Sequence, residues 1–128
     1  MKEPIWVLRE VVLIAHEQSL AEFGGAAETR DEGLLDSALN KPENLFAYGT
    51  PSVFQLAASY GFGLVKNHSF IDGNKRIGFI VAVVFLQLNG WRLEASEVDA
   101  TLQTLALAAG ELSEAEFAEW LAAHSRPV

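Results

Sequence analysis

An imidazole, a carboxylate, a carboxamide, an ammonium and a guanidinium stand together between His68 and Arg76, in the run H-S-F-I-D-G-N-K-R. An imidazole near its operating pH moves protons. A forked guanidinium suits a phosphate. Directly behind the run comes the most apolar segment of the chain, from Ile77 to Leu88. At helical spacing Ile77, Ile80, Val81, Val84, Phe85 and Leu88 share one face, and Phe79, Ala82, Val83 and Leu86 make the others apolar. This pattern predicts a helix from about Asn74 to Asn89, buried all round and the most buried of the fold, with polar groups only at its entrance. A helix N-terminus presents unpaired N–H groups and the positive end of the dipole, and Gly73 permits close approach of a ligand. Lys75 and Arg76 sit at the wrong end for the dipole, a cost that an arriving phosphate would offset.

Each of these residues also has a plainer reading. His68 alone reads as a solvated turn residue. Asp72 or Asn74 reads as a helix cap, and Arg76 as the partner of an acid such as Asp72. Phe70 reads as a core anchor for the loop. His16 reads as a position on an amphipathic helix, and His124 as a cation near a helix C-terminus.

The run H-S-F-I-D-G-N-K-R-I-G-F resembles the signature of the Fic/Doc superfamily, whose Fic branch reads H-P-F-x-D/E-G-N-G-R-x-x-R. His68, Phe70, Asp72, Gly73, Asn74 and Arg76 match it in identity and order. Two departures point to the Doc, or death-on-curing toxin, branch: Lys75 replaces the second glycine, and Phe79 stands where the second arginine would be. Doc-like proteins commonly carry F-G-G and R-D-x-G-L-L-x-S-A-L, and both are present, at Phe23–Gly25 and Arg30–Leu39.

The resemblance implies a catalytic set of His68, Asp72, Lys75 and Arg76. His68 would be the general base for a target hydroxyl, and Asp72 the ligand of Mg²⁺ on ATP or another nucleoside triphosphate. Gly73, Asn74, Lys75, Arg76 and Lys66 would hold phosphates. Lysine at position 75 implies a nucleotide bound with its γ-phosphate toward the hydroxyl, hence protein phosphorylation, with a translation elongation factor as the prior for the target. Asp72-Gly73 keeps AMP transfer open as the alternative, and an inactive binding module is a third reading. The inhibitory S/T-x-x-x-E-G/N pattern of Fic enzymes has no match, since T-R-D-E-G at 29–33 is one residue short. Inhibition is therefore expected from a separate antitoxin chain, disordered when free, and the segment around Leu45, Phe46 and Tyr48 is a candidate surface for inhibitor or target.

Composition sets the outer limits. A chain of 128 residues, half of them hydrophobic, is expected to be one domain over 1–128 with its own core. A net charge of −8 disfavours direct binding of nucleic acid, so any phosphate site must be local. The absence of cysteine excludes disulfides, thiolate metal sites and a cysteine nucleophile. Arg9 and Glu10 interrupt the first apolar run, which reads as no signal peptide, and no segment is suited to a membrane. A cytoplasmic location is the expectation.

The remaining elements follow from caps and breakers. A first helix is expected from Pro4 to Phe23, ended by Gly24-Gly25. A second should be capped by Asp31, bury Leu34, Leu35, Ala38 and Leu39, and stop before Pro42. A loop is expected over 44–52, then a third helix with Thr50 as cap and Pro51 at its first position, running to Asn67. Gly61 and Gly63 within it suggest close packing on the central helix. Trp91–Leu93 should be extended. Ser96 should start a helix through Val98, Leu102, Leu105 and Ala109 to Gly110, and Ser113 with Glu116 the last one, with Phe117, Trp120, Leu121 and His124 on one stripe. The sum is an all-α, compact Fic/Doc-like domain around one buried central helix.

Overall fold

The computed structural model describes residues 2–26 and 29–128. Its elements are α1 (Arg9–Phe23), α2 (Glu32–Tyr48), α3 (Val53–Asn67), α4 (Asn74–Leu88), β1 (Trp91–Leu93), α5 (Glu97–Ala109), α6 (Glu114–Ala123) and β2 (Ser125–Pro127). The architecture is all-α apart from β1 and β2, which pair antiparallel with Arg92 opposite Arg126.

The caps act where their chemistry places them. Asp31 accepts from Leu34 N–H, Ser96 from Asp99 N–H, and Ser113 forms a reciprocal box with Glu116. Gly110 closes α5 in the left-handed conformation. The third helix departs from expectation in its start. Ser52, not Thr50, is the cap, because its hydroxyl and the Gln55 side chain satisfy each other's backbone N–H groups.

Two boundaries are set by tertiary contacts that override local signals. The segment at Pro4 is not helical, and α1 begins only at Arg9. Residues 5–7 are tied to the rest of the fold instead: Asn89 bonds both the N–H and the carbonyl of Ile5, and Val7 N–H donates to the Tyr60 hydroxyl. Helix α2 does not stop before Pro42 but carries it inside and runs on to Tyr48, so 44–48 is helix rather than loop. Pro42 is buried, and Phe46 beyond it packs edge-on against Trp6 at 5.7 Å. Those contacts offset the hydrogen bond that proline cannot donate.

The core runs through α3 and α4. Leu56, Tyr60, Leu64, Ile77, Val81, Phe85 and Leu86 are fully buried there, joined by Leu35 from α2, Leu107 from α5, and Phe117 and Leu121 from α6. Helix α4 is central, yet the most buried helix is α3, with nine buried residues against seven. Helix α3 packs on α2, α4 and α6, whereas one side of α4 is only half covered: Phe79, Ile80, Val83 and Val84 are partly buried and Leu88 is exposed. Gly61 meets α4 as expected. A Cβ there would lie 3.3 Å from Gly78 O and 2.9 Å from Phe117 Cε2, while Gly63 packs on Ala38 of α2 instead. The α5 row Val98, Leu102 and Leu105 faces outward rather than into the core.

Candidate active site

The loop between α3 and α4 carries the reactive groups, and three separate devices fix its shape. The first is internal. Asn74 at the head of α4 is 7% exposed, and its carboxamide bonds Phe70 twice, accepting from the N–H at 3.0 Å and donating to the carbonyl at 2.9 Å. Asn74 is thus neither a cap nor a side chain pointing at an anion; its amide is spent on closing the loop.

The second device is Arg30, in the connection between α1 and α2. Its Nε donates to the His68 carbonyl at 2.7 Å and its Nη2 to the Asn67 carbonyl at 3.3 Å, while its backbone N–H reaches Ser69 O. A cation on the last carbonyls of α3 is favoured by that helix's dipole. His68 is exposed, and among the described residues it alone, glycine aside, has a positive φ, at 52°. Holding such a residue left-handed costs on the order of 1–3 kcal/mol. Arg30 supplies the contacts that hold it there.

The third device is His16 of α1, which is 1% exposed. Its ring stacks on Phe70 with centroids 3.7 Å apart, and its Nε2 lies 2.7 Å from Asp72 O. Phe70 itself is fully buried, the anchor its type suggested.

At the head of α4 the cap is Gly73 (φ 81°), without any side-chain hydrogen bond, so Asp72 is not the cap either. The left-handed Gly73 followed by helical Asn74 turns successive N–H groups in one direction, an anion-binding nest that continues the free N–H groups of the helix N-terminus. Asp72 is exposed, and its Oδ2 accepts from Ala26 N–H at 2.9 Å. The approach is close: a Cβ on Gly25 would lie 3.0 Å from Asp72 Cβ.

Arg76 turns to α1, and the two lysines turn to α5. Arg76 does not pair with Asp72; its Nε donates to Ser19 Oγ, its Nη2 to Gly24 O, and Phe23 lies under the guanidinium at 5.0 Å. It thereby sits at the C-terminal, negative end of α1, which offsets its position at the positive end of α4. Lys75 is exposed and lines a 460 Å³ hollow with Leu102, Leu105 and Glu111 of the α5 side. Lys66 donates to Ala108 O at the end of α5. The loop therefore carries His68, Asp72 and Gly73 up to the head of α4, while Lys66 and Lys75 both turn to the end of α5, where Ala108 accepts from Lys66 and lines the hollow of Lys75.

The comparisons with known proteins fit this geometry. A family model described as Fic/DOC matches residues 6–86, well over half of the chain. The chain belongs to the Fic/DOC family. The match covers α1 to most of α4, hence all three devices that shape the loop. Among curated proteins, this Fic/DOC chain is similar to the toxin Doc of Mycolicibacterium smegmatis, with 42% identity over 90 residues. That alignment spans 68% of this chain and 66% of the relative, just under two thirds of its length.

Reasoning from the sequence missed Arg30 and His16 as parts of the site. Arg30 lies in the R-D-x-G-L-L run already set apart by its resemblance to Doc-like proteins, so a signal was present. His16 had only its place among apolar neighbours, a pattern that does not distinguish a core histidine from one that binds a loop.

Proposed function

We propose that this chain is a Doc-type toxin of a toxin–antitoxin pair, transferring the γ-phosphate of ATP or another nucleoside triphosphate to a Ser or Thr hydroxyl of a cytoplasmic protein. A translation elongation factor is the expected target. The observation that carries this reading is Lys75, an exposed lysine in place of the second Fic glycine, in a run that keeps His68, Phe70, Asp72, Gly73, Asn74 and Arg76 of the signature. A lysine there holds terminal phosphates as a point charge. Phe79, half-buried in α4, leaves no second arginine for the AMP-transferring pose. AMP transfer remains the alternative because Asp72 is followed by Gly73.

In this mechanism His68 accepts the proton of the target hydroxyl. That oxygen forms its bond to the γ-phosphorus as the bond from this phosphorus to the β–γ bridging oxygen breaks, and the nucleoside diphosphate leaves. The nest at Gly73 and the head of α4 receive phosphate oxygens, with Lys75 beside them. Among the described residues no cluster of three His, Cys, Asp or Glu would hold a metal without help. One exposed carboxylate, Asp72, fits the habit of magnesium, which takes most of its other ligands from phosphates and water. When bound there, magnesium neutralises charge on those phosphates.

The antitoxin is the expected partner, disordered when free. The outward row Val98, Leu102 and Leu105 on α5 supports a partner that covers this face, and Leu102 and Leu105 share their hollow with Lys75. Tyr48, 90% exposed, and the 480 Å³ hollow lined by Leu45, Pro51 and Gln55 leave the end of α2 as a surface for the target. Among the described residues no helix is long and apolar enough to cross a membrane.

Comparing the wild type with His68→Ala tests enzyme against binding module. The variant is expected to keep its fold and nucleotide affinity and lose transfer, since a base acts on the proton rather than in binding. Transfer near the wild-type level would remove histidine from the mechanism.

A further inference from the structure

His16 is a fully buried polar side chain outside the signature, yet its ring nitrogen is spent on the signature's own backbone. Asp72 O can only accept, so Nε2 must carry the hydrogen and the imidazole is the donor. The stack on Phe70 fixes the ring plane, and Phe70 is itself clamped by Asn74. A Cβ on Gly73 would come within 3.4 Å of Nε2, so the ring lies flush against the Asp72–Gly73 peptide.

A trans peptide unit is planar, with its carbonyl and N–H pointing in opposite directions. Pinning Asp72 O toward His16 therefore turns Gly73 N–H away from His16, out of the core. Gly73 N–H is the first donor of the nest that Asn74 and Lys75 continue. Among the described residues His16 is the one group that bonds Asp72 O, so this carbonyl is held from α1.

We infer that His16 is the positioning residue of the anion nest: by donating to Asp72 O it aims Gly73 N–H at the phosphate oxygens of the nucleotide. The nature of the anion rests on the transfer reading above, whereas the orientation of the peptide does not. His16 touches no reacting atom; it acts through the Asp72–Gly73 peptide. A nest set before the ligand arrives needs no reorganisation on binding, which is the source of its strength.

The test compares His16→Gln with His16→Met. The two side chains are close in length and shape and both lose the ring stack, but only glutamine offers a donor to Asp72 O. Both variants should melt below the wild type, since both lose the stack on Phe70. In ligand-free protein the Gly73 amide resonance should stay near its wild-type position in His16→Gln and move in His16→Met. Affinity for Mg–ATP should fall within about threefold for His16→Gln and by about tenfold or more for His16→Met, the size of one lost hydrogen bond. Equal resonances and equal affinities in the two variants would overturn the inference. A measurement on the wild type needs no variant to fold: the His16 side-chain nitrogen spectrum should show hydrogen on Nε2, coupled across the bond to the Asp72 carbonyl carbon. Hydrogen on Nδ1 with no such coupling would also overturn it. A wild type that does not bind Mg–ATP would contradict the proposed function instead, and the Gly73 and His16 resonances would still decide the positioning role.

Discussion

The guanidinium of Arg30 donates to the backbone carbonyl of His68 at 2.7 Å, across 38 residues of chain. This contact joins the α1–α2 connection to the end of α3 and holds the one histidine whose backbone is left-handed. The general base of the proposed reaction is therefore positioned by a residue that carries no chemistry of its own.

Arg30→Met should lower turnover by about tenfold to a hundredfold, because a base displaced by an ångström loses its alignment with the hydroxyl. Nucleotide affinity should change little, since the nest lies at the other end of the loop. Separate measurement of kcat and of Mg–ATP affinity checks this. A variant with unchanged kcat would show that His68 holds its position without Arg30.

Asn74→Ala should destabilise the fold by about 2–4 kcal/mol, because the buried N–H and carbonyl of Phe70 both lose their partner. Thermal denaturation reads the effect. An unchanged melting temperature with weakened nucleotide binding would return Asn74 to the role of a direct phosphate ligand.

Burial pushes the Tyr60 phenol up to about 12 from its ordinary 10.0, with a smaller opposing effect of the Val7 N–H and a further push from Glu43. The folded state thus holds this proton more tightly than the unfolded chain. Its contribution is complete below about pH 10 and is lost as pH rises toward 12. Tyr60→Phe should show less alkaline loss of stability, and at neutral pH it should be weaker by about 1–2 kcal/mol, since Val7 N–H is left without its acceptor. Urea midpoints across pH 8–11 make the comparison.

Expression of the chain alone should slow bacterial growth, and co-expression of the neighbouring reading frame should relieve it. The sequence offers no inhibitory motif of its own, and the α5 row beside Lys75 is left outward. Harmless expression of a demonstrably active protein would count against an antitoxin.

Much of this was legible from the residues, for identifiable reasons. Caps such as Asp31, Ser96 and Ser113 act within four residues, so their partners are fixed by spacing alone. The central helix declared itself by apolarity on every face, although that pattern does not say which face the fold leaves half covered. The errors at Pro4 and Pro42 arose where a distant partner outweighs a local preference: Asn89 for the N-terminal segment, and the buried setting of Pro42 with Phe46 on Trp6 for α2. The same limit applies at the site. The signature's residue types were visible, but not that Asn74 turns inward onto Phe70; Arg76 reaching Ser19 and Gly24 O, and His16 reaching Asp72 O, depend on α1 and its end, more than fifty residues away. Side-chain direction is a property of the packed molecule.

The most direct test of the central claim is to follow which phosphorus moves. The protein is incubated with a bacterial lysate and ATP labelled at either the α- or the γ-phosphorus, beside His68→Ala as control. The account predicts protein labelling from the γ-position only, absent with His68→Ala. Label arriving from the α-position would contradict the argument from Lys75 and establish AMP transfer in its place.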